Sequence, residues 1–485
     1  MIKKYFSFIF LIGLVASCQT SIDPIESNDV VPTQQQITYQ QMELIGFIHF
    51  SINTFTDKEW GYGDESPQLY NPSELDAEQW AKTAYDAGMK QLILTAKHHD
   101  GFCLWPSAYT EHSVKNSLWR DGKGDLVREF TDACRKYGLK VGLYLSPWDR
   151  NHSDYGKPEY ITYYRNQLTE LLTNYGEISE LWFDGANGGD GYYGGENEVR
   201  KIDRETYYDW DSTINLAYNL QPDIIIFSDA GPGCRWIGNE HGIAGETNWS
   251  MINGDSLIIG ASKQAYLNTG DPNGTDWIVG ECDVSIRPGW FYHASQDGQV
   301  KSLDQLVNIY YGSVGRNGVL LLNIPPDKRG LIHENDVQRL FEFSNFVSES
   351  FNENLAADAR ATSENMRNQE HHPNLMFDDD MNTFWATENG TSKASVTIDL
   401  VEEKSFNLIL LGENIHFGQR ISSFNIEAMH GDHWHVVAEG TTIGYKRILK
   451  IEPIKTSRLR LNILEANNCP LIATFGVYQE AEIKK

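Results

Sequence analysis

The most constraining feature of this 485-residue chain is an alternation that begins at residue 44. Seven short apolar runs, LIGFI, QLILTAK, KVGLYL, SELWF, DIIIF, WIVGECDV and GVLLLN, are separated by stretches with helical spacing. In DLVREFTDACRKYG, for example, Leu126, Phe130 and Cys134 share one face and Gly138 closes the helix. Strands alternating with helices predict βαβ units and a parallel sheet. Near-continuous apolar strands predict a sheet covered on both faces. Residues 38–352 are therefore read as an α/β domain, a (β/α)8-like TIM barrel that is irregular or lacks a helix. An open doubly wound sheet is the alternative, but no glycine-rich phosphate loop follows the first strand.

The strand ends carry more information than the strands. They read His49, His98 and His99, Tyr144 and Trp148, Asp184, Asp229, Asp283, and Asn323. In a barrel of this type the C-terminal strand ends surround the active site, so these residues predict a polar crater with aromatic walls. After Pro326 a helix, DVQRLFEFSNFVSESF, completes the barrel layer, and the pattern then changes. From residue 356 to 481 short alternating strands follow one another with turn signals between them, which predicts an all-β sandwich.

The N-terminus, MIKKYFSFIFLIGLVASCQT, places two lysines before an apolar stretch too short to span a bilayer comfortably. Residues 1–18 resemble a bacterial lipoprotein signal, in which Cys18 becomes the lipid-bearing first residue of an extracytoplasmic protein attached to a membrane, periplasmic or at the cell surface. An ordinary secretory peptide is the alternative. Residues 19–37 are polar and read as a flexible tether. The other cysteines, Cys103, Cys134, Cys234, Cys282 and Cys469, lack both metal-ligand spacing and a disulfide pattern. With a formal net charge of -27, the chain is not expected to bind nucleic acid. Aromatic residues at 12% suit core packing and also suit sugar rings, whose C–H faces pack on indole and phenol.

A carboxylate at the end of the fourth strand suggests glycoside hydrolysis, which uses two carboxyl groups flanking the scissile bond. Asp184 ends a short rigid strand and is followed by Gly-Ala-Asn-Gly, which leaves open space before it. A turn-capping Asp is the bland alternative. The second acid is sought in the long loop SDAGPGCRWIGNEHGIAGETNW, where Glu240 sits in a turn that can project it and Glu246 can brace the loop. Zinc is the rival use of the histidines. His98 and His99 are strand neighbours that point to opposite faces, and helical H-x-x-x-H spacing is absent, so neither metal nor cofactor is expected.

Taken together, HFSINTF, EWGYG, TAKHHDGFCLWPS, GLYLSPWDR, LWFDGANG, GPGCRWIGNE and ECDVSIRPGWFYH resemble glycoside hydrolase family 29, the α-L-fucosidases, over residues 44–327. The resemblance implies a retaining mechanism with Asp184 as nucleophile. In the branch that carries the GP…RW.GNE motif it implies Glu240 as acid/base. It places His49, Trp60, His98, His99, Tyr144 and Trp290 around the fucose, and fucosylated oligosaccharides or glycoconjugates as partners. That branch acts on α-1,3/1,4-linked fucose in Lewis-type glycans. The stretch GGDGYYGGENEVRKIDRETYYDW looks longer than the branch usually carries and lies beside the expected site. A non-catalytic glycan-binding lipoprotein, a broader fucosidase and a retaining glycosidase for L-galactose are the rival readings. The segment LMFDDDMNTFWAT and the strands after it resemble discoidin-like sandwiches and family 32 carbohydrate-binding modules. There the acidic loop and Trp385 fit packing as well as ligand binding.

Overall fold

A computed structural model describes residues 23–483. Eight parallel strands close into a barrel in sequential order: β1 (Leu44–Ile48), β2 (Gln91–Lys97), β3 (Lys140–Leu145), β4 (Glu180–Trp182), β5 (Ile225–Ser228), β6 (Cys234–Trp236), β7 (Val279–Ser285) and β8 (Val319–Asn323). Closure pairs β1 with β8, Phe47 lying opposite Asn323. Every residue of β1 and β2 is buried, as continuous apolar strands between a filled interior and a helical layer must be. The eighth strand is β6, which lies within the stretch expected to be a long loop. Residues 229–233 alone link β5 to β6, so no helix fits between them.

The helices start where short polar residues can cap them. Before α2 (Ala77–Asp86), Asp76 accepts the backbone N–H groups of Glu78 and Gln79. Before α3 (Leu126–Lys136), Asp125 accepts that of Arg128. The expected face of α3, Leu126, Phe130 and Cys134, is fully buried. The layer continues with α4 (Glu159–Asn174), α5 (Trp210–Leu220), α6 (Leu303–Ser313) and α7 (Glu334–Ser350).

The lower barrel interior is lined by Met42, Ile45, Ile93, Val279 and Leu321 and holds one buried polar cluster. Glu180 lies against Glu281, and burial together with the Glu281 charge pushes the Glu180 carboxyl well up. Gln91 donates to Glu180, while Tyr39 and the Trp182 indole, at 2.8 Å, donate to Glu281. Cys234 lies against the pair. Above it Trp182 stacks on Phe227 at 3.9 Å and on Tyr144 at 5.3 Å, which forms the floor of the crater.

The sandwich is antiparallel. Its strands are β9 (Arg360–Ser363), β10 (Trp385–Ala386), β11 (Ala394–Glu413), β12 (Ile421–His430), β13 (His433–Gly440), β14 (Arg447–Ala466) and β15 (Leu471–Tyr478). They run in the order β10-β15-β11-β14-β12-β13, with β9 on β11. Where only short strands were expected, β11 and β14 run for 20 residues each, interrupted by register shifts near Asp399 and Phe406 that let them bend. Trp385 is fully buried in this core, so it packs and offers no face to a ligand.

The stretch read as a tether departs from expectation. The signal segment and Cys18 lie outside the described residues. From Asp23 onward, however, the chain is strapped to the sandwich. Asn389 donates to the Pro24 carbonyl at 3.0 Å, Asn28 donates to the Gln419 carbonyl at 3.0 Å, and Arg367 and Arg420 donate to the carbonyls of Asp23 and Glu26. The helix α1 (Gln34–Gln40) follows, opened by a Thr33–Gln36 capping box, and inserts Tyr39 into the lower barrel. Polar side chains order this strap through backbone hydrogen bonds, a contact that hydropathy alone does not register.

The sandwich docks on the N-terminal end of the barrel, opposite the crater. Glu43, just before β1, accepts Tyr445 Oη at 3.1 Å and pairs with Lys446. Asn317, just before β8, joins all three parts: Nδ2 donates to Asn248 O at 3.2 Å, Ser250 Oγ at 3.0 Å and Gln419 Oε1 at 3.3 Å. Its Oδ1 accepts Gln40 Nε2 at 2.7 Å and Tyr445 N at 2.8 Å. Asn317 also holds φ 63, a left-handed conformation that Asn tolerates better than Ala. Asn317→Ala is expected to destabilise the protein by about 3 kcal/mol or more, because several buried partners lose their bonds together. Chemical denaturation of the two proteins checks this.

Candidate active site

All eight residues singled out from the sequence line one cavity of about 390 Å³ at the C-terminal end of the barrel: His49, Trp60, His98, His99, Tyr144, Asp184, Glu240 and Trp290. Glu59, Asp283, Phe47 and Trp182 line it too. Asp283 was visible as a strand end without a role. Glu59 carried no sequence signal of its own beyond lying beside Trp60.

Asp184 lies two residues beyond β4, a strand paired on both sides, and the intervening Phe183 is held by its N–H on the Phe227 carbonyl at 3.0 Å. Its Oδ2 accepts the Tyr144 hydroxyl at 3.0 Å and Oδ1 accepts the Ala186 N–H at 2.6 Å. His99 Nε2 lies 3.7 Å from Oδ2. The turn after it is tight because Gly185 lies against Gly260, where a side chain would meet the Gly185 carbonyl at 2.3 Å. Asp229, at the end of β5, fixes that approach by accepting the Gly260 N–H at 2.7 Å, and burial lifts its carboxyl to about 7.

Hydrogen bonds assign the protons of the three histidines. Ser146 donates to the Trp148 carbonyl at 2.7 Å, so it accepts from His99 Nδ1 at 2.8 Å and leaves His99 Nε2 as an acceptor. Asn323 Nδ2 donates to Ser285 Oγ and the Trp290 carbonyl, so its Oδ1 accepts from His49 Nδ1 at 2.8 Å and His49 Nε2 is also an acceptor. His98 Nδ1 faces the Asn53 amide donor at 3.4 Å, which makes His98 Nε2 a donor. Burial lowers the His49 pKa to about 3 and depresses His98 and His99 as well, so all three rings are neutral at neutral pH. The cavity thus offers sugar hydroxyls two acceptors and one donor.

Glu240 is exposed on the loop after β6. Asn239 shapes its turn by accepting the His241 N–H at 3.0 Å and donating to the Ile243 carbonyl at 2.8 Å. Gly238 has φ 87, and a side chain there would meet the Gln264 carbonyl at 2.4 Å. Trp290 Nε1 donates to Glu240 Oε2 at 3.2 Å, and Glu59 holds Trp290 by accepting its backbone N–H at 2.9 Å. Glu246 is a brace: it pairs with Arg447 of the sandwich at 2.6 Å and with Arg316.

Trp60, 53% exposed, stands edge-on to His99 and Trp148 at the rim. The stretch after Gly188 forms a hairpin, Gly189–Gly191 with Glu198–Arg200, beside it. Trp148 Nε1 donates to Tyr193 Oη at 3.0 Å, and Arg150 holds the Asp190 carbonyl at 2.8 Å. Aromatic cover, neutral hydroxyl partners and carboxyls on different elements suit one monosaccharide unit and acid–base chemistry on it.

Residues 22–352 match the family model for α-L-fucosidase, and residues 358–475 match that of the F5/8 type C domain. The chain belongs to glycoside hydrolase family 29, the α-L-fucosidases. It is 45% identical to Alpha-L-fucosidase 1 of Arabidopsis thaliana over 93% of this chain and 88% of that protein. Among solved structures, a family 29 member from a rumen bacterium superposes with a TM-score of 0.85 at 47% identity, covering 95% of this chain and 79% of that one. A Ruminococcus gnavus family 29 fucosidase solved in complex with fucose gives 0.86 at 34% identity, covering 95% and 97%. In this fucosidase the α-L-fucosidase match covers the closed barrel, and the discoidin-like sandwich sits at the end away from the cavity.

Proposed function

We propose that this enzyme is a retaining, exo-acting α-L-fucosidase that releases α-1,3/1,4-linked fucose from Lewis-type glycans, with Asp184 as nucleophile and Glu240 as acid/base. The observation that carries the reading is the different setting of the two carboxyls in one cavity. Asp184 is fixed by a strand end, a phenol and a backbone N–H, as an attacking group must be. Glu240 is exposed on a loop at the rim, where a leaving sugar has room to depart. His49, His98, His99, Tyr144, Trp60 and Trp290 form the pocket for the fucose ring, and the solved R. gnavus relative with fucose bound supports that ligand. The cavity volume, about 390 Å³, suits one terminal sugar, which favours exo action. The GP…RW.GNE motif around Glu240 favours the 1,3/1,4 linkage. Lipid attachment at Cys18 would place the enzyme outside the cytoplasm.

Fucose release from a Lewis a or Lewis x trisaccharide, 2′-fucosyllactose and an aryl α-L-fucoside tests the linkage. Release from the Lewis sugars with little from 2′-fucosyllactose is expected. Comparable release from all three would replace this reading with a broad-specificity fucosidase.

A further inference from the structure

Strand β7 sends three polar side chains into the barrel at successive heights, as alternate residues of a strand do. Glu281 meets Trp182 and Tyr39 at the bottom, and Ser285 meets Asn323 at the top. Between them Asp283 lines the catalytic cavity, 4% exposed. Its Oδ1 accepts Trp236 Nε1 at 2.8 Å, and among the described residues no other side chain hydrogen-bonds this carboxyl. Of the four carboxyls that line the cavity, Glu59 is taken up by Trp290 and His293, and Asp283 is the one the proposed mechanism leaves without a part. Its setting differs from that of Asp184, which has a phenol and a backbone N–H on its two oxygens.

We propose that Asp283 is a positioning residue that works un-ionised, its Oδ2–H directed into the cavity beside Glu240 as a fixed hydrogen-bond donor. The groups around it are the Trp236 indole of β6, Glu240 of the next loop and Glu281 of its own strand, with Asp184, beyond β4, lining the same cavity. One is a neutral donor and the rest are carboxyls, so a further anion there is opposed on several sides. Burial first, then the Glu240 and Glu281 charges, pushes the Asp283 carboxyl well above the usual range. The proton balance is simple. Glu240 gives its proton to the leaving oxygen and becomes a carboxylate, and the Asp283 hydrogen steadies that anion without being transferred. When Glu240 takes a proton from the incoming water, the first state is restored. The inference rests on the assignment of Glu240 as acid/base.

The experiment is kcat/KM against pH for wild type, Asp283→Asn, Asp283→Ala and Glu240→Gln, with aryl fucosides of good and poor leaving groups, with and without azide. Asn keeps a donor and cannot ionise. It is expected to lose about tenfold or less at neutral pH and to move the alkaline limb of the profile upward by about a pH unit or more. Asp283→Ala, which removes the donor and the Trp236 partner, is expected to lose more than Asn at every pH. A melting curve shows whether that variant is folded, and Asn carries the test alone if it is not. An alkaline limb unmoved in Asp283→Asn overturns the proposal while leaving Glu240 in place. A large loss in Asp283→Asn that grows with poorer leaving groups and is rescued by azide, with Glu240→Gln showing neither, overturns both assignments. It would make Asp283 the acid/base.

Discussion

Replacing Asp184 by alanine is expected to lower kcat/KM for an aryl α-L-fucoside by about 10⁴-fold or more, the scale on which a lost nucleophile is felt. The carboxylate would attack the anomeric carbon from the face opposite the leaving oxygen, and the Tyr144 hydroxyl and Ala186 N–H fix both of its oxygens for that approach. Alanine leaves a gap where a small anion fits. Azide is therefore expected to restore turnover and to give the β-fucosyl azide. The alternative is that Asp184 only caps the turn to Ala186. In that case the variant would lose about 1 kcal/mol of stability, keep most of its activity and show no azide product. Kinetics together with a melting curve separate the two.

Glu240→Gln is expected to lose about 10²- to 10⁴-fold on glycans, whose sugar leaving groups require a proton. On a fucoside with a strongly acidic phenol the first step needs no such help, so its loss there is much smaller. Glutamine can still accept the Trp290 indole N–H, which keeps the loop geometry and confines the change to proton transfer. Equal losses on both substrates would remove Glu240 from the acid/base role.

Much of this site was legible because strand ends concentrate the chemistry. His49, His98, His99, Tyr144 and Asp184 each follow a recognisable apolar run, and the barrel brings them to one mouth. Glu240 and Trp290 lie in loops with no periodic signal: the length and turn residues of its loop pointed to Glu240, and the family resemblance alone pointed to Trp290. The strand β6 was hidden because Cys234–Trp236 is short and follows a Gly-Pro-Gly turn with no helix before it. The strap from Asp23 was hidden for a different reason. Its partners, Arg367, Asn389 and Arg420, lie more than 300 residues away and hold it by its backbone. Asp283 stood in plain view as a strand end, but its role depends on Trp236 and Glu240, which only folding places beside it.

The central claim is a covalent fucosyl intermediate on Asp184. The enzyme should be treated with a 2-deoxy-2-fluoro-L-fucosyl fluoride, digested, and its labelled peptide sequenced by mass spectrometry. A single fluorofucosyl adduct is expected, carried by Asp184 in the peptide containing Leu181-Trp182-Phe183-Asp184. An adduct on Glu240, Asp283 or Glu59 would contradict it.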